Sequence, residues 1–141
     1  MAELSSADKR ILAAAPAAVF ALVAGADGKI DRKEQRRFEA MLGADHNAGS
    51  AVIGEILAAA PKEGPEVLEE AGGDCELVLD RVRKTAESAL SEEDRAKFKQ
   101  GLWMMGEALA QTSGGGILGI GKRVDQAESV ALRRLRELLK I

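Results

Sequence analysis

The stretch ILAAAPAAVFALVAGA, Ile11 to Ala26, decides how the rest of the chain is read. It carries no charge, follows Lys9 and Arg10 and ends in small residues, so taken alone it imitates the apolar core of a secretory signal. Three features favour a buried helix instead. Glu3 and Asp8 offset the basic pair, Pro16 interrupts the run, and its length falls short of the ~20 residues needed to cross a bilayer. Within it Ile11, Leu12, Ala15, Val19, Leu22 and Val23 recur at three-four spacing, and Ser6 stands upstream as a cap. The pattern predicts a helix over about 7–25 that Pro16 bends or splits, preceded by a short tail at 1–6.

Around this run the composition is that of one soluble domain. A chain of 141 residues buries roughly 68% of its unfolded surface when compact. With 3% aromatic residues and no tyrosine, the core falls to Ala, Leu, Val and Ile, which favours helices. A net charge of -3 argues against nucleic acid as a partner. Cys75 is the single cysteine and His46 the single histidine, so one chain holds neither an internal disulfide nor a zinc site of Cys and His ligands, and a reducing cytoplasm fits.

Further helices follow from periodicity. Ile30, Phe38, Met41 and Leu42 share a face over 31–42, which ends at Gly43. Val52, Ile53, Ile56 and Leu57 mark a third helix that Pro61 should end, and Gly64-Pro65 separates it from a short fourth through Val67 and Leu68, closed by Gly72-Gly73. A fifth helix presents Leu77, Val78, Val82, Ala86 and Ala89. Ser91 caps a sixth that reaches about Ala110 with Phe98, Leu102, Met105 and Leu109 in one stripe, while Trp103 and Met104 fall to either side. So wide an apolar circumference predicts burial by several neighbours, or else a Trp/Met patch that recruits a partner. A glycine-rich loop, TSGGGILGIGKR at 112–123, precedes a last helix over 125–139 with Val124, Ala131, Leu132, Leu135, Leu138 and Leu139 inward. No segment alternates with period two, so the expected fold is all-α, a single bundle of about seven helices.

Two helix starts match one another. KIDRKEQRRFEAM and RVDQAESVALRRL align Asp31 with Asp125 and Glu34 with Glu128, a pseudo-repeat near the two ends of the chain. Each Asp-x-x-Glu suffices as a capping box, worth about 1 kcal/mol. Capping does not explain Asp27-Gly28, whose D-G-x-I-D-x-x-E pattern resembles the second half of an EF-hand loop. The earlier ligand positions of such a loop fall on Val23 and Gly25, which carry no carboxylate, so a cation here needs oxygens from elsewhere. If the terminal helix pairs pack together, Asp27, Asp31, Glu34, Asp125 and Glu128 form one acidic region that favours Ca²⁺ or Mg²⁺. A solvated acidic face is the alternative.

A buried alanine-rich helix running into ALVAGADGKIDRKEQRRFEAML resembles the tellurite-resistance TerB-like family, over about residues 7–141. The match rests on Ala26, Asp27, Gly28, Ile30, Asp31 and Glu34. The resemblance implies a roughly seven-helix, cytoplasmic bacterial module linked to tellurite and other chemical stress and to membrane-associated complexes, with metal chelation by Asp27, Asp31, Glu34, Asp125 and Glu128. In the second motif Gly121-Lys122 replaces an Asp-Gly, removing one oxygen ligand, and the HPD tripeptide of chaperone-recruiting members is missing from the sequence.

Other motifs carry less. GILGIGKR has the spacing of a phosphate loop, but Arg123 stands where a Mg²⁺-holding Ser or Thr is needed, and a helix precedes it where a strand is required. No Ser-His-Asp or Cys-His arrangement can be built, which argues against an enzyme and an organic cofactor. Ile117, Leu118 and Ile120 in the glycine-rich loop pack back onto the domain or else meet a protein partner or a peripheral membrane surface, and the basic groups Arg32, Lys33, Arg36, Arg37, Lys122, Arg123, Arg133, Arg134 and Arg136 read first as solvated helix faces, with anionic lipid, nucleic acid or an acidic partner as the alternative. The expected function is therefore a cation-binding module that relays to a partner, or a metal-free adaptor docking through Trp103, Met104 or the 112–123 loop.

Overall fold

The computed structural model describes residues 4–23, 51–113 and 126–141. Among them every regular element is helical: α1 (Ser6–Ala13), α2 (Ala15–Val23), α3 (Ala51–Glu70), α4 (Cys75–Ala89), α5 (Glu92–Ser113) and α6 (Gln126–Leu139). The all-α expectation holds, but the count of about seven does not: α1 and α2 form one interrupted arm, so the described residues make five helical rods. The expected helix over 31–42 lies outside the described residues.

The charge-free run is the hub of the molecule. Ala15, Pro16, Ala18, Val19, Phe20 and Val23 of α2 are buried, and α2 packs against α3, α4, α5 and α6. Only a helix apolar on nearly all sides can be surrounded in this way. Its arm breaks at Ala14, whose amide donates to the Ile11 carbonyl at 3.1 Å in a tightened turn. This places the break two residues before Pro16, whose ring disfavours the helical region for the preceding residue and lacks a donor of its own. The N-cap is Ser5, not Ser6, with its Oγ accepting from the Asp8 amide at 3.1 Å.

The third and fourth expected helices are one. Pro61 and Pro65 both lie inside α3, and Ile53, Ile56, Leu57, Ala60, Gly64 and Val67 form a buried stripe that runs past them without a phase change. Burial along that stripe outweighs the loss of two backbone donors, a cost of about 3 kcal/mol per interior proline. Gly64 lets α3 approach the first arm, since a Cβ there would stand 3.0 Å from Ala17 Cβ and 3.4 Å from the Ala13 carbonyl oxygen. α3 ends where expected: Gly72 and Gly73 have φ of 71° and 79°, and the Gly73 amide donates to the Leu68 carbonyl at 2.9 Å.

Arg10 ties α1 to α3. Its guanidinium donates to both oxygens of Glu70 at 2.9 and 2.6 Å and to Glu63 Oε2 at 2.9 Å, with Glu66 at 3.5 Å. The paired fork holds the Glu70 carboxyl below the usual carboxylate value. α4 starts at Asp74, whose Oδ1 accepts from the Leu77 amide at 3.0 Å. On this helix Leu79 is core and Leu77 sits at the rim, 39% exposed, which corrects the expected inward position of Leu77. Ser91 caps α5 as its position implies, accepting from the Asp94 amide at 3.1 Å.

α5 extends three residues past its expected end, and Phe98, Leu102, Met105 and Leu109 are buried as one stripe. It crosses α6 at Gly106, where a Cβ would lie 2.7 Å from Leu135 Cδ2. Ala131, Leu135 and Leu139 of α6 are buried there.

Candidate functional site

Two surfaces hold the residues that chemistry would need. The first is a groove of about 630 Å³ where the end of α2 meets α6 beyond its first turn, lined by Leu22 on one side and by Val130, Ala131, Arg133, Arg134 and Glu137 on the other. Glu76 of α4 closes it and accepts a 2.8 Å hydrogen bond from Arg134 Nε. Leu22 stands five residues before Asp27, and Val130 two residues after Glu128. The helix that leads into the first acidic motif therefore lies beside the helix that begins with the second.

Of the five acids singled out in the sequence, Asp27, Asp31, Glu34 and Asp125 lie outside the described residues. Glu128 lies in the first turn of α6, with its side chain also outside them. Among the described residues no group of three or more His, Cys, Asp or Glu side chains is arranged to hold a metal ion. Glu63, Glu66 and Glu70 converge, but on Arg10.

The second surface runs along α5, a groove of about 420 Å³ lined by Glu92, Arg95, Ala96, Lys99, Gln100, Trp103 and Ile141. Trp103 is half-buried with one side packed on the core, and Met104 is 56% exposed. The expected burial by several neighbours thus holds for the Phe98 stripe and fails for Met104. Arg95, Lys99 and Trp103 follow one another at intervals of four residues, so they share one helical face. The sequence reading picks out Trp103 and misses the two cations leading to it, although that spacing is the available signal.

Cys75 is the first residue of α4. It is half-buried, and burial together with Glu76 pushes its thiol above the usual value, away from the reactive thiolate. Of the basic groups noted on the last helix, Arg134 is engaged by Glu76, and Arg136 Nε donates to the Ile141 carbonyl at 3.2 Å. Among the described residues no helix is long and apolar enough to cross a membrane. Residues 114–123 of the glycine-rich loop lie outside the described part.

No family model, curated protein or solved structure matches the chain.

Proposed function

We propose that this chain is a non-enzymatic, TerB-like helical module that binds a divalent cation, Ca²⁺ or Mg²⁺, where its two acidic helix starts converge, and relays that state to a protein partner. The supporting observation is the shared groove, with Leu22 from the end of α2 facing Val130 and Ala131 from the second turn of α6. In this reading Asp27, Asp31 and Glu34 are primary ligands, Asp125 and Glu128 supply oxygens that half an EF-hand loop lacks, and Gly28 forms the turn. Carboxylates crowded together disfavour one another's ionised form, and a hard cation relieves that repulsion. By its resemblance, such a module works in the bacterial cytoplasm, in the response to tellurite or other chemical stress.

The test is thermal melting with Ca²⁺, Mg²⁺, Mn²⁺ and Zn²⁺ on the wild type and on Asp27→Asn. A cation present at about a hundred times its dissociation constant stabilises the fold by about 2.7 kcal/mol, a readily measured rise in Tm. The wild type should show that rise with one of the hard cations, and Asp27→Asn should lose most of it. A melting curve unmoved by every ion overturns the cation reading.

The second reading is a metal-free adaptor that docks through Trp103 and Met104, with the acids acting as caps. The exposed Met104 beside the Trp103 groove favours it.

A further inference from the structure

Two neighbouring methionines on α5 sit in opposite settings. Met104 is 56% exposed, whereas Met105 is 4% exposed and belongs to the buried Phe98 stripe. A helical side chain leans toward the turn before its own Cα. For Met104 that turn holds Gln100, itself exposed, and Gly101, where a built Cβ meets nothing within 4 Å. This side of α5 is therefore open to small solutes. Met105 instead lines a narrow crevice with Phe98 and Leu102 against Ile53 and Leu57 of α3.

We propose that Met104 is a reversible oxidation site for hydrogen peroxide, and that its oxidation alters the α5 surface while the fold stays intact. The thioether sulfur gives a lone pair to one peroxide oxygen, the O–O bond breaks and an S–O bond forms. The other oxygen leaves as water with both peroxide protons, so sulfur loses two electrons and the peroxide gains two. A dithiol reverses the step through a sulfoxide reductase, closing to a disulfide and releasing the oxygen as water. Exposure decides which sulfur reacts, because the peroxide must reach it and the new S–O dipole must then be hydrated. At Met104 water supplies that hydration. At Met105 the oxygen would enter the apolar packing between α3 and α5, an environment that penalises a polar group. The outcome at Met104 is a change from apolar to polar on one exposed face of α5, with the Phe98 stripe untouched. This chemistry goes beyond both functional readings and needs no cation at the acidic edge.

The test treats the wild type with hydrogen peroxide in EDTA, which keeps the result apart from the cation reading. The readout is the tryptic peptide 100–122, which contains Met104 and Met105 and no other sulfur, with fragment ions placing the added oxygen. Met104 should oxidise roughly tenfold faster than Met105, or more. Met104→Leu should abolish the fast step, and Met105→Leu should leave it. Treated wild type and treated Met104→Leu should melt within about 2 °C of one another, since the new oxygen stays at the surface. Sulfoxide reductases for both sulfur epimers, with dithiothreitol, should return the peptide to its original mass. The proposal is overturned by equal rates at the two sulfurs, by oxygen placed first on Met105 or Trp103, by a treated wild type that melts far below treated Met104→Leu, or by a sulfoxide that the reductases leave in place.

Discussion

Glycine at three helix positions shows how a single Cβ reads the packing around it. At Gly64 an added methyl meets Ala17 Cβ at 3.0 Å and main-chain atoms of Ala13 and Ala14 at 3.4 and 3.8 Å, none of which can rotate away. At Gly101 an added Cβ meets nothing within 4 Å. Gly64→Ala should therefore destabilise the fold by about 1–3 kcal/mol through overpacking, despite its better helix propensity. Gly101→Ala should stabilise it by about 0.5–1 kcal/mol. Urea unfolding of the two variants checks both signs, and equal shifts would contradict the close approach of α3 to the first arm. Gly106 is intermediate, because the atom it would strike is the end of the Leu135 side chain, although that leucine is itself fully buried.

At the scale of elements, the contact of α1 with α3 carries the clearest pH dependence. The Glu70 carboxyl is held below its usual value chiefly by the hydrogen bonds of Arg10. A carboxyl whose folded value is depressed contributes stability that is present above its unfolded value and is lost as pH falls through the folded one. Arg10→Met should thus melt below the wild type at neutral pH, and the gap should close below about pH 4. A gap that stays constant from neutral to acid pH would show that Arg10 acts by packing alone. The cluster is largely solvent-exposed, so high salt should narrow the gap too.

Helix type and helix faces are readable because burial imposes the same period that the sequence carries. The Phe98 stripe, the Ser91 cap and the Gly72-Gly73 stop all follow from local chemistry. What local chemistry misreads is α3, where Pro61 and Pro65 look like a stop. The decisive fact there is the stripe from Ile53 to Val67, whose phase continues through both prolines because α1 and α2 lie against it. The Ser5 cap differs from the expected Ser6 by one residue for a simpler reason: either hydroxyl suits the position, and the first helical residue decides between them.

At the scale of the whole molecule, α2 packs on every later described helix, so the proposed meeting of the two acidic motifs depends on it. Because α2 packs on α6, Leu22 near the end of α2 shares a groove with Val130 to Glu137 of α6. The likeness of the motifs can be read from their alignment, whereas the contact of α2 with α6 appears only in the packing. The Arg95–Lys99–Trp103 face cannot be weighed from sequence, because a charge run on a helix is ordinarily solvated and only the position of Glu87 on α4 shows that Lys99 is paired and largely covered and that Arg95 is held by a main-chain carbonyl.

The convergence of the two acidic helix starts is tested most directly by nitroxide labels at Lys33→Cys and Ser129→Cys in a Cys75→Ser background. Each site adjoins a proposed ligand, Glu34 in the first motif and Glu128 in the second, and leaves that ligand in place. The doubly labelled protein should show dipolar broadening absent from both singly labelled ones, and added cation should strengthen it. A doubly labelled spectrum equal to the sum of the two single ones, with and without cation, would contradict the shared acidic edge.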